Sequence, residues 1–140
     1  MRSESNPIVE KSMDFAIQIV KAYKYLCNEK KEFVLSNQLL RSGTSIGANI
    51  KEATNAESKA DFIHKMQIAL KEASESEYWI ELLQRTEYFN EKQTQILFNK
   101  CQEIIRLLTS IVVTSKKQVS LTKIRQRKKI CGKQHHNDSE

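Results

Sequence analysis

A chain of 140 residues is long enough to bury roughly two-thirds of its unfolded surface in one domain. Three glycines and one proline argue against a many-stranded fold, and the lack of any apolar run near ~18 residues excludes a membrane-spanning helix. The net charge of +6 is unevenly placed: residues 1–115 hold equal numbers of basic and acidic side chains, so the whole excess lies in residues 116–140.

The first helix is expected to begin at Pro7, with Asn6 or Ser5 as its N-cap and proline in the favoured first turn. Val9, Met13, Ala16, Val20, Tyr23 and Cys27 recur at alternating steps of four and three, and Phe15, Ile19 and Leu26 widen that stripe into a core face. Asn28 to Glu32 reads as a turn. A second helix is expected from Phe33 to Ala53, with Leu35, Leu39, Ser42, Ile46, Ile50 and Ala53 inward. Its middle, Ser42 to Ala48, is unusually small, and two helical glycines there cost roughly 1 kcal/mol each relative to alanine. Close approach of a neighbouring backbone at Gly43 and Gly47 is the expected compensation, so Gly47→Leu is expected to pry helices apart.

Ser58 followed by Asp61 resembles a capping box, opening a third helix with Phe62, Met66, Ala69, Ala73, Ser76, Ile80 and Leu83 inward. Its centre is also small, so close packing is expected to involve Ala69 and Ala73 as well as Gly43 and Gly47. Arg85 to Phe89 forms a turn whose aromatics cover the bundle's end, and Asn90 caps a fourth helix with Leu97, Cys101, Ile104, Leu108 and Ile111 inward. Short turns between amphipathic helices imply an all-α, antiparallel up-down-up-down four-helix bundle over residues 1–117. Residues 118–140 are expected to form a basic, flexible tail.

Chemistry-bearing patterns are sparse. A di-metal bundle site needs two Glu-x-x-His pairs, and the chain has one relative, Asp61-x-x-His64. His135 and His136 are adjacent and make a poor site, no Cys-x-x-Cys pair occurs, and there is no phosphate-loop ending, so neither metal nor cofactor is expected. No histidine is placed by sequence to activate a serine or cysteine, so no enzyme is expected. Cys27, Cys101 and Cys131 are odd in number without a short pairing, and the N-terminus lacks an apolar signal segment; both suit the cytoplasm.

Two features stand out. Arg41, Ser45, Asn49 and Glu52 form a polar strip beside the apolar face of the second helix, within reach of Glu75 and Glu77. It reads as a solvated face, as a polar network that fixes register or a subunit contact, or as a ligand site. Lys116, Lys117, Lys123, Arg125, Arg127, Lys128, Lys129 and Lys133 make the tail a candidate nucleic-acid contact acting through charge, or a solubilising arm; for a membrane-surface role its apolar partners, Val119, Leu121, Ile124 and Ile130, are few. Its densest cluster, Ile124 to Ile130, has no interleaved aromatic side chain to stack on bases.

Gln38-Leu-Leu-Arg-Ser-Gly-Thr-Ser-Ile-Gly-Ala-Asn-Ile-Lys-Glu-Ala53, with Ser58 to Ala73 and Glu75-Ser-Glu-Tyr-Trp79, resembles a bacterial four-helix-bundle family. That family includes proteins encoded in intervening sequences of 23S ribosomal RNA genes and the accessory variability protein of diversity-generating retroelements. The resemblance covers roughly residues 8–115. It implies a non-enzymatic homo-oligomer, typically a pentameric ring, associated with RNA or with a reverse transcriptase. Gln38, Arg41, Ser45, Asn49, Glu52, Phe62, Ala69, Glu75 and Glu77 match the family pattern. Lys51 and Ala53 depart from its Ala-Glu-Gly, and Lys71 and Glu72 from its Gly-Ser. The expected function is therefore a cytoplasmic homopentamer that binds RNA without a membrane partner. The alternative is a protein-interaction scaffold accessory to a nucleic-acid-processing protein.

Overall fold

A computed structural model describes residues 6–137, with side chains as far as Lys133. Four helices follow one another: α1 (Pro7–Asn28), α2 (Leu35–Thr54), α3 (Lys59–Arg85) and α4 (Glu91–Asn137). Each helix packs on the next, and α1 closes the bundle against α4. Ion pairs between Lys100 and Asp14 (2.7 Å) and between Glu103 and Lys11 set α4 antiparallel to α1. The fold is the expected antiparallel four-helix bundle. Ser5, the alternative α1 cap, and the side chains of His135 and His136 lie outside the described residues.

Local chemistry sets the helix ends. Asn6 Oδ1 accepts from the Ile8 N–H (3.3 Å), and Pro7 occupies the first turn. Ser58 Oγ accepts from the Asp61 N–H at 3.0 Å, but among the described residues Asp61 returns no bond, so this capping box is half made. At α4 the box is complete. Asn90 Oδ1 accepts from the Gln93 N–H (2.8 Å), while Gln93 Oε1 accepts from the Asn90 N–H (2.9 Å). Phe89 is buried at that corner, and Tyr88 is packed against the core.

The start of α2 differs from the expectation. Phe33 stands outside the helix and is exposed, because Glu32, just before it, turns its carboxylate back as a cap. That carboxylate accepts from the N–H groups of Val34 (3.1 Å), Leu35 (2.9 Å) and Ser36 (2.7 Å). Burial alone would raise its pKa, but these hydrogen bonds outweigh burial and hold it below the ordinary carboxylate value.

The core faces of α2, α3 and α4 follow the expected series closely. Leu39, Ser42, Ile46, Ile50 and Ala53 of α2 are buried, as are Met66, Ala69, Ala73, Ser76, Ile80 and Leu83 of α3. On α4 the buried series is Leu97, Cys101, Ile104, Leu108 and Val112, with Val112 taking the place expected for Ile111. The face of α1 is corrected. Ile8, Ser12, Phe15, Ile19 and Leu26 are buried, whereas Val9 and Met13, placed inward by the periodicity, are 39% and 62% exposed. Two apolar stripes run side by side on this helix, and the inner one holds the phenylalanine and the larger share of branched side chains.

The small residues divide their roles. A Cβ on Gly43 would stand 2.7 Å from Ile19 Cγ1, so α1 lies against the bare backbone of α2 there. A Cβ on Gly47 would meet Ser12 Oγ at 3.5 Å, an ordinary contact. Between α2 and α3 the contact runs through buried hydroxyls: Ser76 donates to Ser42 Oγ at 2.9 Å, and Ser42 reaches the Leu39 carbonyl of its own helix. Ala73 meets α4, where its carbonyl accepts from the Cys101 thiol at 3.2 Å.

The two glycines should therefore part company. Gly43→Ala is expected to lower stability by about 1–2 kcal/mol, because Ile19 has to move in a filled core. Gly47→Ala is expected to raise the stability of the isolated bundle by roughly 0.5–1 kcal/mol through helix propensity. Thermal melting of both variants reads the difference, and equal shifts would refute the assignment of the close approach to Gly43.

Glu32→Gln should cost roughly 1–2 kcal/mol at neutral pH, the usual worth of an N-terminal cap. Because the folded-state pKa is depressed, the carboxylate's contribution is complete above its unfolded pKa and disappears as pH falls through the folded value. Denaturant titrations at descending pH should show the wild type losing its advantage over the variant; a constant difference would contradict this.

Candidate nucleic-acid interface and a polar strip across α2 and α3

The polar strip resolves into a small network and several residues outside it. Arg41 reaches across from α2 to Glu72 (3.2 Å) and to Glu75, and Gln38 Oε1 accepts from Arg41 Nε at 3.5 Å. Trp79 donates its indole N–H to Glu75 at 3.1 Å, so one carboxylate joins α2 to an aromatic side chain on α3. The guanidinium contact with Glu75 raises the arginine pKa and lowers that of Glu75. Arg41 remains about half exposed.

The other members are placed differently. Ser45 and Asn49 bond back to the carbonyls of Arg41 (2.7 Å) and Ser45 (2.8 Å) on their own helix. Glu52 pairs with Lys65 at 2.9 Å, about three helical turns further along the same α2–α3 seam. Glu77 lies on the other side of α3, near Cys101, and is not part of the strip. Sequence reasoning missed Glu72, Trp79 and Lys65. The signal was present, since Glu72, Glu75 and Trp79 are three and four residues apart and share a helical face.

Possible nucleophiles and ligands are weakly placed. Burial, with a smaller effect from Glu77, pushes the Cys101 thiol up to about 12, leaving it protonated at neutral pH. Cys27 is half-buried and Cys131 is exposed on α4. Among the described residues no three His, Cys, Asp or Glu side chains cluster as metal ligands would, and no helix is long and apolar enough to cross a membrane.

The basic segment continues α4. The helix runs through residue 117 without a break, and Ser115 is its last buried side chain. Val119 is partly shielded, lining a shallow cavity with Lys59 at the start of α3. From Ser120 to Lys133 every side chain is exposed. No acidic residue stands between Glu103 and Asp138, so Lys116, Lys117, Lys123, Arg125, Arg127, Lys128, Lys129 and Lys133 have no anionic neighbour along the helix.

A second surface was not anticipated. The outer stripe of α1 and the small face of α2 form a groove of about 520 Å³, lined chiefly by Val9, Met13, Ala16, Gly47 and Ala48, with Lys51 at one edge. Sequence reasoning missed it because Val9 and Met13 were assigned to the core.

A family model described as 23S rRNA-intervening sequence protein matches residues 4–110. The chain belongs to that family. A solved structure with 59% sequence identity covers 75% of this chain and 97% of its own, with a TM-score of 0.74. It is a protein of unknown function from the S23 ribosomal protein family, from Bacteroides thetaiotaomicron VPI-5482. No functionally curated protein matches significantly. Neither description indicates catalysis. The family match ends at residue 110, so the exposed cationic part of α4 lies beyond it.

The exposure of the Arg41 network sets its expected worth. Ion pairs of this kind contribute roughly 0–1 kcal/mol, so Arg41→Ala should lower the stability of the isolated bundle by no more than that. Chemical denaturation combined with native mass provides the check. A loss of several kcal/mol accompanied by a fall in mass would show the strip to be buried against another subunit.

Proposed function

We propose that this family member is a non-enzymatic homo-oligomer that associates with RNA through the basic segment of α4. The observation that carries the reading is the separation of charge: a neutral bundle continues into an exposed helix with eight cations and no anion. Such a surface attracts a polyanion by counterion release. The family's description links its members to 23S rRNA, which supports RNA as the polyanion.

Self-association is supported by the groove between α1 and α2. Val9 and Met13 leave apolar surface uncovered there, and Gly47 keeps the floor open although the chain's own packing would accept a Cβ. A ring would multiply weak RNA contacts by presenting several charged helices at once. The protein-partner reading, an accessory to a nucleic-acid-processing protein, draws on the half-exposed Arg41–Glu75–Trp79 network beside exposed Tyr78. Three free thiols suit a cytoplasmic protein.

Light scattering of the purified protein, with absorbance at 260 and 280 nm before and after a high-salt wash, tests both halves together. The expected result is an oligomer of about five times the 16.3 kDa chain carrying RNA that salt removes. Met13→Asp should lower the mass while leaving the helical signal intact. Replacing Arg125, Arg127, Lys128 and Lys129 together with glutamine should release the RNA while leaving the mass unchanged. A clean oligomer without nucleic acid would favour the protein-partner reading, and a monomer would remove the assembly.

A further inference from the structure

We infer that the exposed part of α4 docks as a preformed helix into the groove of a base-paired nucleic acid, between two phosphate backbones, rather than along a single strand. This rests on the nucleic-acid reading above and specifies the form of its ligand.

The distribution of charge around the helix carries the inference. At roughly 100° per residue, Lys116, Lys123 and Arg127 fall on one flank, while Arg125 and Lys129 fall on the opposite flank. Lys117 and Lys128 occupy one of the remaining sides, and Lys133 lies towards the other. A flat anionic surface or one extended strand would engage a single flank and leave the opposite cations in water. A groove has a phosphate wall on either side and engages both.

The apolar residues agree. Leu121 and Ile124 share the side of Lys117 and Lys128, whereas Val119 and Ile130 lie near Lys116 and Lys123. Charged and apolar side chains are therefore not segregated into the two faces that membrane-surface helices show. Between Phe98 and the His135–His136 pair next to its end the helix has no aromatic residue, so its cationic stretch lacks the stacking platforms of single-strand binders.

Size and energetics point the same way. An α-helix with its side chains is about 10–12 Å across, and the B-form major groove is about 12 Å wide. Regular A-form RNA has a narrower major groove, so an RNA partner would have to present an opened site such as a bulge. Residues 120–137 provide about 25 Å of rod, enough to lie along such a groove. Like charges stand four apart at Lys123–Arg127, Arg125–Lys129 and Lys129–Lys133, a repulsion that the helix carries although it is formed in the unbound chain. Phosphates on two sides relieve that repulsion.

The test compares the full-length protein with four probes of one sequence and length: bulged duplex RNA, uninterrupted duplex RNA, duplex DNA and single-stranded RNA. Fluorescence anisotropy at fixed moderate salt gives the affinities, and phosphatidylserine vesicles serve as a fifth ligand. The tighter of duplex DNA and bulged duplex RNA is expected to bind about tenfold or more better than the single strand, and better than uninterrupted duplex RNA. Gln126→Pro keeps every cation but breaks the helix beyond the last buried residue, and should cancel that preference; Gln126→Ala should retain it. Circular dichroism and native mass of the proline variant verify that the bundle is intact.

Single-strand binding as tight as duplex binding, or a proline variant as good as wild type on duplex, would overturn the docking mode while leaving the nucleic-acid reading in place. Vesicle binding as tight as duplex binding would overturn it in favour of a membrane surface. No salt-sensitive binding to any nucleic acid would overturn both. The ranking of bulged RNA against DNA identifies which duplex supplies the groove.

Discussion

Ile19 of α1 packs on the bare backbone of Gly43, and one residue away Ser42 of α2 is joined to Ser76 of α3. These two contacts, on adjacent residues of α2, bring three helices together with little side-chain bulk between them. The larger residues lie above and below: Phe15, Leu26, Leu39, Ile46, Met66 and Ile80 fill the layers where the helices have more room. The buried hydroxyls do not disrupt the core because each finds a partner, and among the described residues no buried side-chain polar atom lacks one. α4 completes the bundle against α1 and α3, burying Cys101, whose thiol meets the Ala73 carbonyl.

Most of this was legible in sequence wherever one apolar stripe dominated a helix. The series on α3 had no rival, that on α4 shifted only at its last member, from Ile111 to Val112, and Ser58 and Asn90 stood where their caps were needed. α1 was harder because its apolar residues form two neighbouring stripes, and periodicity alone does not say which faces inward. Bulk does: Phe15, Ile19 and Leu26 need the filled interior, whereas Val9 and Met13 can remain at the edge of a groove. Glu32 was hidden for a different reason. A charged residue in a turn ordinarily points into water, and only the chain reversal brings its carboxylate onto three backbone N–H groups.

The candidate sites were legible in a similarly divided way. The cationic composition at the C-terminus was plain, but composition does not distinguish a coil from the continuation of a helix. The seven polar residues singled out by motif proved to occupy unlike positions. Gln38, Arg41 and Glu75 meet, Ser45 and Asn49 satisfy their own helix, Glu52 turns to Lys65, and Glu77 faces α4. Spacing along one helix predicted neighbours well, while contacts between helices depended on the offset set by the Ser42–Ser76 contact.

The continuity of α4 constrains orientation. The same helix that packs Leu108, Val112 and Ser115 inside the bundle carries the cations outside it. With no turn between anchor and charge, the direction of the rod is tied to the direction of the subunit. A partner that grips the rod therefore also sets the compass bearing of the bundle, and the tumbling it restrains is that of the whole subunit rather than of a loose tether.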